Sequence, residues 1–235
     1  MTREVLRFDS SGELVSATAD DLLRTLMERI GATGEAHLCL TGGSIAARLY
    51  RRIGDLEAPV DWSRVHLWWG DERWLPRGNA GRNDLAAREG LGETVWQQAQ
   101  RHTMPAAEEG LDLDAAASAY GDELGDTRFD LCLLGVGPDG HVASLFPDHP
   151  SSRAPGTVIP VRDSPKPPPE RISLTHRVIN ASDEVWLVVS GPDKAHAVGE
   201  ALTPNSSLPA ALVAGRTHTS WRVDRGAANG LPADR

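Results

Sequence analysis

The chain has 235 residues, with 24 Lys or Arg against 33 Asp or Glu, so its formal charge is −9. A chain of this length buries roughly 70% of the surface that its unfolded form exposes, which is enough for a full core. The acidic balance argues against a general nucleic-acid binder, although a few local cations can still hold a small anion, and no apolar run approaches the roughly 20 residues of a membrane span.

Four short apolar runs predict buried strands. Each run is continuous rather than alternating, which is typical of a strand covered on both faces. Each also stops at a glycine-containing segment. In chain order the runs cover residues 36–40, 65–69, 129–136 and 185–189.

Segments between these runs have helical spacing of their apolar residues. Three such faces are Leu22, Leu23, Leu26, Met27 and Ile30; Ala46, Leu49, Tyr50 and Ile53; and Leu113, Ala116, Ala117, Tyr120 and Leu124. Strand, glycine stop and helix in alternation predict an α/β fold with a mainly parallel sheet and helices on both sides. We expect a single domain over 1–235, a rigid proline-rich loop at 164–169 and a frayed tail at 226–235.

Ligands of such folds bind where the carboxyl ends of parallel strands lead into helices. The turn Thr41-Gly42-Gly43-Ser44 lies at such an end. Its glycines let backbone N–H groups approach a phosphate, Ser44 can cap the following helix, and the helix dipole favours negative charge. An ordinary tight turn with a serine cap explains the same residues, so both interpretations stay open.

The charged triplet Asp71-Glu72-Arg73 directly follows the second run. Arg73 offers a planar donor fork suited to phosphate or carboxylate, and Asp71 can hold that fork or act as a base. A surface salt-bridge cluster is the alternative. The flanking tryptophans favour a partly desolvated functional site.

A glycine-rich turn after the third run contains Gly137, Asp139, Gly140 and His141. His141 can move a proton near neutral pH, and Asp139 can orient its imidazole. Turn N–H groups from Gly137 to Gly140 are candidate donors to an oxyanion. We expect Ser144 to begin a helix that points elsewhere.

Two lysines are further candidates for binding an anion. Lys166 lies among prolines that restrict the backbone, so its ammonium can be presented in one place. Lys194 lies in the first turn of a helix, where a cation is unfavourable unless an anion is near. A stiff surface loop with an incidental lysine explains Lys166 equally well.

Nucleophilic catalysis by the protein is not favoured. The chain has no nucleophile elbow, and Cys39 and Cys132 fall inside predicted strands. Two cysteines exclude a disulfide scaffold, and no Cys/His pattern has structural-zinc spacing. Because the first residues also lack the apolar stretch of a secretion signal, we expect a reducing, cytoplasmic setting.

Five motifs occur in the order and spacing of one enzyme family. They are LTGGS, WGDERWLP, GVGPDGHVASLFP, SPKPPPERISLT and SGPDKA. The chain resembles the 6-phosphogluconolactonases over nearly its whole length. The resemblance implies the three-layer α/β/α fold shared with glucosamine-6-phosphate deaminases and ribose-5-phosphate isomerase-type proteins. It also implies hydrolysis of 6-phospho-D-glucono-1,5-lactone, the second step of the oxidative pentose phosphate pathway, with no metal or organic cofactor.

The resemblance also implies roles for individual residues. His141 is the expected general base with Asp139 in support. Arg73 and Lys166 are expected to hold the substrate, chiefly its phosphate, and the turn from Thr41 to Ser44 to line the phosphate end. The remaining candidates for substrate binding are Asp71, Gly137, Gly140, Asn83, Arg171 and Lys194. The chain departs from the family pattern at Ile45-Ala46, often Thr-Pro, and at Arg82, often Ser.

Two other functions stay open. A sugar-phosphate deaminase/isomerase needs an additional carboxylate close to the histidine, and the residues after His141 are non-acidic until Asp148. A non-catalytic sugar-phosphate-binding effector domain normally accompanies a helix-turn-helix, for which we see no room before residue 36. The expected partner is a small phosphorylated sugar lactone, with neither nucleic acid nor membrane. The sequence does not determine the oligomeric state, and a monomer is our expectation.

Overall fold

A seven-stranded parallel sheet forms the centre of the computed structural model, which describes residues 2–56 and 58–231. Its strand order is β1-β10-β9-β6-β2-β3-β5, and a second sheet has the order β4-β8-β7. The strands are β1 (Thr2–Phe8), β2 (Ala36–Leu40), β3 (Val65–Trp69), β4 (Asp71–Arg73), β5 (Gln100–Arg101), β6 (Leu131–Leu134), β7 (Val158–Val161), β8 (Arg171–Leu174), β9 (Glu184–Val189) and β10 (His218–Asp224).

Helices connect most of these strands. They are α1 (Ser11–Thr33), α2 (Ser44–Gly54), α3 (Asn83–Gln98), α4 (Leu113–Leu124), α5 (His176–Ile179), α6 (Ala195–Ala201), α7 (Pro209–Leu212) and α8 (Arg225–Ala228). Short 3₁₀ turns cover Trp62–Arg64, Pro150–Arg153 and Pro192–Lys194. None of the described helices is both long and apolar enough to cross a membrane.

The α/β class and the parallel sheet predicted from the sequence are confirmed. All neighbouring strands of the large sheet are parallel. Every residue of β6 is buried, and successive strand residues point to opposite faces, so both faces of the sheet are covered there. The helical faces predicted in α2 and α4 are buried as expected. In α1, Leu22, Leu23 and Leu26 are buried, Ile30 is partly buried, and Met27 is exposed, so the predicted face is wrong at Met27.

The winding direction of the chain reverses between β2 and β6. From β2 the chain adds β3 and then β5 on one side, whereas from β6 it adds β9 and then β10 on the other. In open parallel sheets this reversal opens a crevice at the carboxyl ends of the two central strands. The turn after β2 and the turn after β6 therefore face each other across that crevice.

The small antiparallel sheet was not predicted. Asp71–Arg73 follows β3 as the sequence indicates, but it forms the short strand β4. Residues 164–169 lie in the loop before β8, which begins at Arg171. Gly70 joins the two sheets, because its N–H donates to Leu40 O at 2.9 Å and its carbonyl accepts from Leu174 N at 2.8 Å. The small sheet is thereby placed over the carboxyl end of the large one.

The helix termini follow ordinary capping rules where the sequence supplies a cap. Ser10 accepts the Glu13 N–H, and the Glu13 carboxylate accepts the Asp9 N–H, which begins α1. Gly34 ends that helix in a left-handed conformation with φ of 92°. The frayed tail expected from residue 226 is wrong for 226–228, since α8 includes them and buries Ala227; residues 232–235 lie outside the described residues.

Candidate active site

A cavity of about 300 Å³ opens at the reversal point of the sheet, which is a size typical of small-molecule sites. It brings together residues from both sheets. Of the predicted site residues, it is lined by Thr41, Gly42, Gly43, Ser44, Asp71, Arg73, Asn83, Gly137, His141, Lys166, Arg171 and Lys194. Asp139 and Gly140 are not among the lining residues, and they lie in the turn behind His141.

The turn after β2 presents the N-terminus of α2 to the cavity. Gly43 is the N-cap of this helix, with φ of 100°, and Ser44 is its first residue. The expectation that Ser44 caps the helix is therefore wrong. Because Gly43 has no side chain, the first N–H groups of the helix are not capped by one, which leaves a favourable place for an anion.

Gly42 is held against Asn83. A Cβ at Gly42 would lie 2.0 Å from Asn83 Oδ1, so the turn requires glycine here. Asn83 in turn donates from Nδ2 to the carbonyl oxygen of Asp71 at 2.8 Å and to its Oδ1 at 3.2 Å. Asn83 thus fixes the turn after β2 against the first residue of β4.

Asp71 is the buried centre of a polar network. Its Oδ2 accepts from Ser144 Oγ at 2.6 Å and lies 3.8 Å from Arg171 Nη1. Ser144 therefore points to the site and lies in a turn, not in a helix, which corrects the expectation from the sequence. Since its carboxylate is bound to several partners, Asp71 is better suited to holding Arg171 and Asn83 in place than to acting as a base.

Arg73 and Glu72 point in opposite directions from β4. Arg73 lines the cavity, donates from Nη1 to Gly81 O at 2.5 Å, and has a buried Nε with no hydrogen-bond partner among the described residues. Glu72 is 1% exposed and accepts the backbone N–H groups of Asn83 at 2.7 Å and Asp84 at 2.9 Å. Burial raises the pKa of Glu72 to about 7, although these donors and Arg82 oppose the effect.

Glu72 is a structural residue of the site that sequence reasoning missed. Its carboxylate caps the start of α3 from a distant strand, so the helix that carries Asn83 is anchored to the strand that carries Arg73. The sequence feature that could have indicated this role is the alternation of side chains along a strand, which directs Glu72 to the face opposite Asp71 and Arg73.

The turn after β6 holds the imidazole of His141. Nδ1 of His141 lies 2.5 Å from Asp139 Oδ1. A Cβ at Gly137 would lie 1.9 Å from His141 Nδ1, and Gly140 has φ of 81°, so both glycines are required by this geometry. The imidazole packs against Phe146, with 4.8 Å between ring centroids.

Lys166 extends to this pair from the loop between β7 and β8. Its Nζ lies 3.2 Å from His141 Nδ1 and 3.4 Å from Asp139 Oδ1. The backbone is fixed as well, because the Lys166 carbonyl accepts from Arg171 Nη2 and from Ser164 Oγ, each at 3.0 Å. Lys166 is thereby presented to the cavity in a defined position, as the prolines around it predict.

The electrostatics of this cluster are dominated by cations. Burial acts to raise the pKa of Asp139, but the hydrogen bond from His141 and the charges of His141 and Lys166 outweigh it, so this pKa lies well below its usual range. Burial lowers the pKa of Lys166, and the charges of Lys194 and Arg171 lower it further, against the opposing effect of Asp139. Like charges gathered around one cavity favour an anionic ligand.

The loop after β9 completes the wall of the cavity. Lys194 ends the 3₁₀ turn before α6, with its Nζ 3.0 Å from Asp193 Oδ2. Asp224 fixes the start of this loop, since it accepts from Ser190 Oγ at 2.6 Å and from Gly191 N at 3.0 Å. Sequence reasoning missed Asp224, whose only local signal is its place at the end of an unpredicted strand.

Comparison with known proteins identifies the family. The family model described as glucosamine-6-phosphate isomerases/6-phosphogluconolactonase matches residues 9–221. The chain belongs to this family. The chain is also similar to a 6-phosphogluconolactonase of Streptomyces coelicolor, with 44% identity over 93% of this chain and 91% of that protein.

Two further similar proteins cover the chain almost completely. A 6-phosphogluconolactonase of Mycobacterium leprae is 42% identical over 99% of this chain and its whole length. The crystal structure of 6-phosphogluconolactonase from Thermotoga maritima superposes with a TM-score of 0.84 at 26% identity, over 95% of this chain and all of that one. The three-layer fold implied by the resemblance is thereby confirmed.

The departures from the family pattern leave the cavity intact. With Ile45-Ala46 after the turn, α2 still begins at Ser44. Arg82 is 1% exposed and does not line the cavity; its guanidinium donates to Asp84 Oδ2 at 2.9 Å and to Met104 O at 2.8 Å. Asn83 consequently keeps its place at the cavity wall.

A group of potential metal ligands lies at the opposite edge of the sheet. One ligand atom from each of Glu35, His37 and His66 falls within 4.8 Å of the others. However, Trp68 Nε1–H donates to His37 Nδ1 at 3.1 Å, which places the proton of a neutral His37 on Nε2, 3.4 Å from Glu35. This imidazole is arranged to donate to Glu35 rather than to bind a metal.

Proposed function

We propose that the chain, acting as a single domain, hydrolyses 6-phospho-D-glucono-1,5-lactone to 6-phospho-D-gluconate. The observation that carries the proposal is the hydrogen-bonded pair of Asp139 and His141, with 2.5 Å between Oδ1 and Nδ1. This pair lies beside a cavity that is also lined by the uncapped start of α2 and by several cationic side chains. A lactone phosphate needs a base for water at one end and positive groups for phosphate at the other. Family membership and relatives named as lactonases support the same reaction.

His141 activates water in the proposed mechanism. Asp139 accepts the Nδ1–H, which leaves the lone pair on Nε2 to take a proton from water. The water oxygen attacks C1 and forms a tetrahedral oxyanion. The C1–O5 bond then breaks, and His141 returns the proton to the ring oxygen, which becomes the free hydroxyl of the product.

The oxyanion requires a donor, and two of the turn N–H groups expected to supply it already have partners. The Gly137 N–H donates to His141 O and the Gly140 N–H donates to Gly137 O, each at 2.9 Å, so both are used within the turn. Lys166, 3.2 Å from His141, is the cation adjacent to the imidazole. That distance is to Nδ1, the nitrogen that faces Asp139, so Lys166 lies on the side of the imidazole away from the proposed water. We propose that it binds the substrate, chiefly its phosphate, as the sequence predicts.

The phosphate is proposed to bind at the start of α2. The turn from Thr41 to Ser44 offers backbone N–H groups and the positive end of the helix dipole. Arg73 contributes a fixed guanidinium, and Lys194 lines the same cavity. Arg171 remains a substrate candidate, although its contacts with Asp71 and with the Lys166 loop make it a residue that holds others in place.

A direct assay tests the proposal. The purified protein is incubated with freshly prepared lactone, and 6-phosphogluconate is measured with a coupled dehydrogenase against the spontaneous rate. We expect His141→Ala to lose about 10²–10⁴-fold in kcat while its thermal unfolding stays cooperative, because general base catalysis contributes that much. A folded His141→Ala protein with unchanged kcat refutes the mechanism, and ammonia release from glucosamine 6-phosphate would instead support the deaminase.

A further inference from the structure

The two tyrosines of the chain make the same unusual pair of contacts. Thr41 N donates to the Tyr50 hydroxyl at 2.9 Å, and that hydroxyl donates to Thr41 O at 2.7 Å. Trp69 N donates to the Tyr120 hydroxyl at 2.9 Å, and that hydroxyl lies 3.3 Å from Trp69 O. Each buried phenol thus occupies both backbone groups of one residue at the carboxyl end of a strand.

The Tyr50 contact is made at the edge of the cavity. Thr41 directly follows β2, so its backbone groups lie beyond the end of the strand, and it is only 7% exposed. Buried backbone groups need hydrogen-bond partners, and Tyr50 supplies an acceptor and a donor with one atom. Burial raises the pKa of Tyr50, so the phenol keeps the proton that it donates.

Thr41 also connects the two turns that face each other across the crevice. Its Oγ1 accepts from Gly135 N at 3.3 Å. Gly135 begins the glycine-rich turn that carries His141. The backbone of Thr41 is therefore held by Tyr50, while its side chain contacts the turn that holds the imidazole.

We propose that Tyr50 is a positioning residue that fixes the turn from Thr41 to Ser44 for binding the substrate phosphate. This inference rests on the proposed lactonase function. Tyr50 belongs to α2, which begins at Ser44, so its hydroxyl ties the body of the helix to the strand end on the other side of the turn. The N–H groups that meet the phosphate are thereby held at a defined distance from β2.

Tyr50→Phe tests the proposal, with Tyr120→Phe as the matched control. Both changes remove one buried hydroxyl that serves two backbone groups, but Trp69 does not line the cavity whereas Thr41 does. We expect Tyr50→Phe to raise KM and the inhibition constant of inorganic phosphate about tenfold while kcat changes by less than about threefold, because one misplaced hydrogen-bonding group costs that order of affinity. Tyr120→Phe should lower the melting temperature but leave both KM and the inhibition constant of phosphate unchanged.

Unaltered KM and phosphate inhibition in folded Tyr50→Phe would overturn the proposal, as would equal changes in Tyr120→Phe. If Tyr50→Phe does not fold, the hydrogen-exchange rate of the Thr41 amide in the wild-type protein tests the contact with Tyr50 instead. Protection comparable to that of the amides of β2 supports the contact, and exchange as fast as in an exposed turn overturns it. A wild-type protein without lactonase activity would refute the proposed function, whereas the phosphate and exchange measurements would still test Tyr50.

Discussion

Asp139→Asn measures how much the carboxylate contributes to His141. The amide keeps the size of the side chain but removes the charge that accepts the Nδ1–H at 2.5 Å. It can also turn an N–H toward the imidazole, which favours the tautomer with its proton on Nε2. That tautomer has no lone pair directed at water, so the base form of the enzyme becomes less populated.

The expected magnitude follows from the geometry. A hydrogen bond to a charged group contributes about 1.5–3 kcal/mol, and Asp139 is 37% exposed, so solvent screening places its contribution toward the lower end. Since about 1.4 kcal/mol corresponds to tenfold, kcat should fall roughly ten- to a hundredfold. The loss should exist throughout neutral pH, because the pKa of Asp139 is lowered and the wild-type carboxylate stays ionised there.

Steady-state kinetics of four proteins provide the assay: wild type, Asp139→Asn, His141→Ala and the double variant. Because Asp139 acts through the imidazole, the double variant should be no slower than His141→Ala. Additive losses in the double variant would contradict this reasoning. So would an Asp139→Asn protein with wild-type kcat.

Two further predictions concern the walls of the cavity. Gly42→Ala places a Cβ 2.0 Å from Asn83 Oδ1 and should lower kcat/KM at least about tenfold. The control is Gly34→Ala, which has φ of 92° and nothing within 4 Å of the added Cβ, so it should lower only the melting temperature. Equal kinetics for the two variants would contradict the reasoning. Burial acts to raise the pKa of Asp224, but hydrogen bonds from Ser190 and from backbone N–H groups outweigh it, so this pKa is lowered in the folded state. The ionised carboxylate therefore stabilises the fold when the pH is above the unfolded-state pKa of about 3.9, and this stabilisation is lost as the pH falls. Denaturant unfolding should therefore show a smaller difference between wild type and Asp224→Asn at pH 3 than at pH 7, and a constant difference would contradict it.

The central strands could be predicted because their sequences are apolar without interruption. The predicted runs at 36–40 and 65–69 match β2 and β3 residue for residue, while β6 and β9 differ only at their ends. Burial on both faces leaves no room for polar alternation, so composition alone reveals such strands.

The outer strands could not be found in this way. β10 contains Arg222, whose burial depends on an ion pair with Asp21 at 2.7 Å and on stacking over Trp186 at 3.7 Å. Helix α3 was missed for a related reason. Its cap is Glu72, 11 residues before Asn83, and Gly92 interrupts its regular spacing. Partners distant in the chain decide both elements, and local patterns do not contain them.

In the candidate site, too, residues indicated by local sequence could be predicted, whereas contacts between distant segments could not. Glycine turns after predicted strands indicated Thr41, Gly137 and His141, because strand ends meet at one edge. The role of Ser144 was misjudged, since its hydroxyl contacts Asp71, 73 residues earlier in the chain. The partners of the Gly137 and Gly140 N–H groups depend on how the turn closes upon itself, which residue types do not determine.

The joining of two sheets at Gly70 has a consequence for which substrates fit. Arg73 and Lys166 belong to the small sheet and its loop, whereas the imidazole and the start of α2 belong to the large one. In the proposed mechanism, the distance between the phosphate and the ester carbon that fits the cavity is therefore determined by how the two sheets pack together. Substitutions at the junction of the two sheets should alter the preferred length of the sugar without changing any residue that is proposed to bind it.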